Sequence, residues 1–266
     1  MASLLQKPHP KDHEGNIIRV SPESAGWKYV GFEVYQLSSG EILRKDTNEN
    51  EVCIVLLSGK ADVQTKDQTF ENIGERMSIF EKIPPYSVYV PNQDQFMIEA
   101  KTKLEVAVCL APGKSHYKAR LIEPKDVDQE ERGSGKMSRR IHHILPEQKE
   151  ADSLLVVEVF TPDGNTSSYP PHKHDQNNLP EESYLEETYY HRVNPSQGGF
   201  VFQRVYNDDR SLDETMSVEN RDVVLVPEGY HPVSSVPGYE SYYLNVMAGP
   251  VRTWKFHNDK DHEWLF

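Results

Sequence analysis

The sequence predicts an all-β protein built from two similar blocks in tandem, and three observations carry that expectation. Apolar segments are strand-sized, as in Val52 to Leu57 and Val106 to Ala111. The chain holds 14 Tyr, 9 Phe and 18 Pro, with Val, Ile and Thr runs cut by Gly, Pro and Asn turns, and no stretch sustains a helical period. The order of strands and turns in the first half recurs in the second.

Read from the N-terminus, Val52 to Val63 is a strand that turns at Gly59 and continues. Gly74 to Phe80 and the run Pro84 to Pro91 follow, the latter alternating around Val88 and Val90. Residues 1–122 form this first block. A polar, charged stretch with Gly and Ser, residues 123–138, reads as a linker. Residues 139–266 form the second block, in which Glu187 to Val193, Asp222 to Val226 and the turn Pro227 to Pro232 repeat the earlier order. Aligning the turns places Val52 where the second block has Glu187, and Val88 where it has His231.

Charge and hydropathy exclude several classes of function. With 42 acidic residues against 29 Lys and Arg, a net charge of -13 repels a phosphate backbone, and no basic block is present, so nucleic acid is not an expected partner. The longest apolar runs fall far short of a membrane span, and residues 1–8 lack the apolar core of a signal peptide. Cys53 and Cys109, the only cysteines, each sit in an apolar run, as free thiols of a cytoplasmic protein do. Exposed sheet edges would suit a homo-oligomer.

Tyr169-Pro170-Pro171-His172-Lys173-His174-Asp175 is the most informative stretch. Histidines at i and i+2 share one face of a strand. The acidic, aromatic run Glu186-Glu187-Thr188-Tyr189-Tyr190 follows, and later Pro227-Glu228-Gly229-Tyr230-His231. Imidazoles with a carboxylate form a mixed N/O set for one divalent ion such as Zn, Mn or Fe. This order of motifs resembles that of a cupin barrel, so the fold expected is a bicupin, two tandem jelly-roll β-barrels, of which only the second carries the ligands.

Longer segments resemble the bacterial 5-deoxy-glucuronate isomerases of myo-inositol catabolism. They are Ser167 to Asp175, Leu185 to Tyr190, Gln203 to Tyr206, Val226 to Pro232 and Tyr242 to Gly249. Against the general cupin pattern, the stretch between His174 and Glu187 is long, Asn194 replaces a glycine after the acidic strand, and Asp222 replaces the glycine that opens the second motif. Asn194 tolerates a left-handed turn. The resemblance implies His172, His174, Glu187 and His231 as metal ligands, with Glu186 on the opposite face and Glu181 and Glu182 as solvated loop acids.

It also implies a sugar-acid substrate: 5-deoxy-D-glucuronate, an aldehyde, becomes 5-dehydro-2-deoxy-D-gluconate, its keto isomer. Such an aldose-ketose isomerisation needs a metal with open positions, a group that moves a proton, and a cation for the distal carboxylate. Glu187, Tyr169, Tyr190, Tyr243 and metal-bound solvent are the candidates for proton transfer. For the cation, alternation in Phe200 to Tyr206 sets Arg204 with Phe200 and Phe202 on one face, read as the barrel face. An arginine there needs a carboxylate, either the substrate's or a protein one such as Asp222. Lys173 and Tyr169 are further substrate-binding candidates. His142, His143, His191, His257 and His262 read as structural or surface groups. Two other classes use the same scaffold: a metal-dependent cupin dioxygenase and a non-catalytic sugar-binding bicupin.

Overall fold

The computed structural model describes residues 3–265, and Met1, Ala2 and Phe266 lie outside them. The secondary structure is almost entirely strand, as expected, and no helix among the described residues is long and apolar enough to cross a membrane. The chain gathers into two compact units. One consists of residues 8–128 with 143–156; the other holds the N-terminal residues through Lys7, then 129–142 and 157–266. Short segments are therefore exchanged relative to a division at 123–138. That stretch is also structured: Asp128–Arg132 is an edge strand beside Arg139–Leu145, between 3-10 turns at Pro124–Asp126 and Gly135–Met137. A charged sequence is what a solvent-facing edge strand carries, which is why composition alone resembles a linker.

The unit of residues 8–128 pairs a six-stranded sheet with a four-stranded one. At the centre of the larger sheet, Asn50–Ser58 lies between Leu104–Pro112 and Ser87–Val90, all antiparallel. Val52, Ile54, Leu56, Val88, Val90, Val106 and Val108 point inward against Leu43, Val63, Phe96 and Ile98 of the smaller sheet. Each buried side chain of this kind contributes roughly 1.5–3 kcal/mol relative to exposure. Cys53 and Cys109 face each other across the ladder as free, buried thiols.

The second unit contains a seven-stranded sheet in which Glu186–Asn194 is flanked by Val223–Val226 and Glu240–Ala248. A four-stranded sheet carries Phe200–Tyr206, Asp213–Glu219 and Val233–Ser235. Two short hairpins complete it, His172–Lys173 with His257–Asn258, and Asp175–Asn178 with Glu182–Tyr184. Asn194 does not take the left-handed conformation expected of it; the turn follows through Pro195 to Gly198, which has φ +70°.

The registers correct one alignment. Val52 lies opposite Val90 as Glu187 lies opposite Val226, so Val52 does hold the place of Glu187. Val88 lies opposite Ile54 as Val224 lies opposite Tyr189, so Val88 is the counterpart of Val224 and not of His231. His231 stands beyond its strand's end; the corresponding stretch beyond Val90 runs through a turn to Phe96, a core residue.

Candidate metal centre

Alternation along Glu186–Asn194 sends Glu187, Tyr189 and His191 to one face of the strand. There Glu187 Oε2 lies 3.1 Å from His174 Nε2 and 3.3 Å from His231 Nε2. Among the described residues these three form the one group of potential ligands gathered within 4.8 Å. All three are at least 98% buried. His172 stands beside the group, its ring centroid 5.0 Å from that of His231 and 6.5 Å from that of His174.

The surrounding backbone presets the imidazoles. His174 Nδ1 donates to the Leu185 carbonyl at 3.1 Å, and His231 Nδ1 donates to the Gly229 carbonyl at 2.8 Å. With Nδ1 held by a backbone carbonyl, each Nε2 is turned toward Glu187, the orientation a metal-ligating histidine takes. His231 Nε2 is buried and has no hydrogen-bond partner. Gly229 makes its turn possible: at φ +85° any Cβ would lie 2.3 Å from the Tyr206 carbonyl oxygen.

Electrostatics favour a cation here. Burial, together with the neighbouring histidines, pulls His231 down to about 3, so it is a neutral imidazole at ordinary pH. Burial acts on His174 in the same sense, but its bond to the Glu187 carboxylate outweighs this and raises it. Glu187 thus draws one positive charge into the space between the rings. Two imidazole nitrogens and a carboxylate oxygen, each oriented and one without a partner, fit a divalent first-row ion.

Glu187 and His172 line a narrow cavity of about 30 Å³ together with Tyr189, Tyr243, Asn245 and Arg139. A wider cavity of about 440 Å³ shares His172, Arg132 and Arg139 with it, and adds Tyr169 and Phe256. Tyr189 donates to, or accepts from, Ser168 Oγ at 2.8 Å, and the Tyr243 hydroxyl is 3.4 Å from the same atom. Burial raises the pKa of both tyrosines, so both remain hydroxyls.

Several expected site residues are elsewhere. Tyr190 is buried on the face opposite Glu187, and Tyr189 takes the place expected of it. Period-2 alternation, the same rule that separates Glu187 from Glu186, identifies Tyr189 from sequence. Arg204 is also on the wrong face: Val201, Gln203 and Val205 are buried, Phe202 is 46% exposed, and on Arg204's own face only Tyr206, at the strand's end, is buried. Its guanidinium makes paired bonds of 2.7 Å to Asp213, not Asp222, and lies over the Tyr206 ring. Asp222 pairs with Lys7 at 2.7 Å.

Lys173 alternates away from the histidines. Its ammonium bonds Asp208 at 2.7 Å and Asp175 at 3.1 Å in a separate cavity of about 610 Å³, lined also by Arg210, Tyr230 and Asp259. Glu182 is buried rather than solvated and accepts from the backbone amides of Asp175 and Gln176. His191 is buried against Gln203 and His142 against Glu158, while Tyr169 borders the wider cavity.

Known proteins share both the sequence and the architecture. The KduI/IolB family pattern matches residues 4–265. The chain is 67% identical over 265 residues to the 5-deoxy-glucuronate isomerase of Geobacillus thermodenitrificans NG80-2, covering 100% of this chain and 96% of that one. It is 51% identical over 271 residues to the 5-deoxy-glucuronate isomerase of Bacillus subtilis 168, covering 100% and 99%. The crystal structure of an IolB-like protein from Salmonella typhimurium LT2 superimposes with a TM-score of 0.96 at 54% identity over 99% of each chain. Oxalate decarboxylase from Bacillus subtilis, at 13% identity and a TM-score of 0.67 over 97% of this chain and 78% of that one, shares the bicupin fold alone.

Proposed function

The chain belongs to the KduI/IolB family, and we propose that it is an isomerase converting 5-deoxy-D-glucuronate to 5-dehydro-2-deoxy-D-gluconate. Full-length likeness to isomerases of that name carries this reading. The three-residue centre in the second unit gives it a physical basis.

A divalent ion held by His174, Glu187 and His231, with His172 beside them, would polarise the substrate's carbonyl and adjacent hydroxyl. The isomerisation removes a proton from carbon 2 and delivers one to carbon 1, with no net redox change. Glu187 meets both histidines through Oε2, leaving Oε1 as the carboxylate atom that carries this proton. Tyr189 and Tyr243, kept protonated by burial and linked through Ser168, donate to the oxygens on which charge develops. Apolar walls from Ile141, Val157 and Val159 exclude water from the transfer. The free, buried Cys53 and Cys109 accord with a cytoplasmic enzyme.

Proton NMR in deuterated water tests the reading. The aldehyde proton of 5-deoxy-D-glucuronate should disappear with solvent deuterium entering the new hydroxymethyl carbon. Absence of turnover by metal-loaded protein would contradict the assignment, and full retention of the substrate hydrogen would point to a hydride shift or to a base fully shielded from solvent.

A further inference from the structure

With Arg204 paired on the outer face, the cavity needs another explanation for how an acid would be held, and one arginine in it lacks a counter-ion. Arg139 opens the strand Arg139–Leu145 and alternates with Ile141 onto the cavity face. It is only 9% exposed. Its Nη1 donates to the backbone carbonyls of Met137 and Tyr169, both at 3.0 Å, while Nε and Nη2 have no acceptor among the described residues. Arg132, which lines the same two cavities, is already neutralised by paired bonds of 2.8 and 2.7 Å to Glu130.

A guanidinium buried without a carboxylate is costly unless a ligand supplies one. Carbonyl bonds through Nη1 fix the plane of the fork, and the two remaining donors suit a bidentate carboxylate. Arg139 lines both the narrow cavity that holds Glu187 and the wider one beyond it, so an acid bound there would extend toward the metal centre.

We propose that Arg139 is the substrate-binding residue that receives the carboxylate of the sugar acid and thereby selects acids over neutral sugars. This rests on the isomerase reading for the identity of the substrate, but not for the anion preference. The test pairs D-glucuronate with its neutral amide, D-glucuronamide, titrated calorimetrically into metal-loaded protein. Wild type should bind the acid about 30-fold more tightly than the amide, and Arg139→Met should reduce that ratio to about one while retaining metal.

A ratio near one in wild type, or an undiminished ratio in Arg139→Met, overturns the assignment. If Arg139→Met does not fold, Arg139→Lys keeps the charge but loses the fork, and its ratio should fall between one and the wild-type value; an unchanged ratio again overturns it. If the acid preference behaves as expected but 5-deoxy-D-glucuronate is not turned over, the isomerase reading fails and the anion site stands. Turnover by wild type with a preference that survives in Arg139→Met removes Arg139 alone.

Discussion

The strands Asn50–Ser58 and Glu186–Asn194 occupy the same place in their respective sheets, yet one builds a core and the other carries the candidate metal centre. Inward from the first point Val52, Ile54 and Leu56; inward from the second point Glu187, Tyr189 and His191. The antiparallel ladder determines which residues face inward but not what those residues do. Apolar side chains at these positions yield stability through burial, whereas polar ones must each find a partner, and here a histidine nitrogen is left for a ligand.

The sharpest way to break the contrast is to remove a ligand. His174→Ala or His231→Ala should lose the metal, and turnover should fall on the order of 10³-fold, since polarisation by the ion is worth several kcal/mol. Stoichiometric metal in both variants, measured by elemental analysis, would dissolve the proposed centre. The reverse experiment puts a carboxylate in the other barrel. Val52→Glu should destabilise the first unit by about 3–5 kcal/mol in urea unfolding, as an unpaired buried charge does. If the variant is as stable as wild type, the interior there is not the closed apolar core described above.

A smaller effect lies in pH. Burial holds His191 down, from its ordinary 6.5 to about 4, against Gln203. Because the folded form binds its proton more weakly than the unfolded form, stability is complete above pH 6.5 and is lost as pH falls toward 4. Metal-free wild type should therefore lose about 2 kcal/mol more than His191→Gln between pH 7 and pH 5. Equal losses in the two proteins would show that His191 is not buried as a neutral group. The smallest effect is expected at Arg204, whose pairing with Asp213 is 42% exposed on the arginine side. Arg204→Met should cost under about 1 kcal/mol of stability and leave kcat/KM within about threefold of wild type; a tenfold loss would restore Arg204 to the site.

Much of this arrangement is legible in the sequence because it depends on local periodicity. His-x-His, the Glu187 strand and the Pro-x-Gly-x-His turn each fix a side-chain direction within a few residues. The same rule places Tyr190 on the face opposite Glu187, since it is three positions from Glu187 and Tyr189 is two. Arg204 was harder to place, because Phe200 and Phe202 make its face look apolar while the buried face carries Gln203. Arg139 could not be assigned from periodicity at all. It shares a cavity with Glu187 only through pairing order in the seven-stranded sheet, which brings residues far apart in sequence to line one space. Residues 123–138 resemble a linker for a related reason: edge-strand pairing is invisible in composition.

Anomalous diffraction from crystals of the active, metal-replete enzyme tests the central division between the barrels most directly. One peak is expected, bonded to His174 Nε2, Glu187 and His231 Nε2 in the second unit. A fully active enzyme with no peak at that position, or with its ion among the side chains around Val52, would contradict the account.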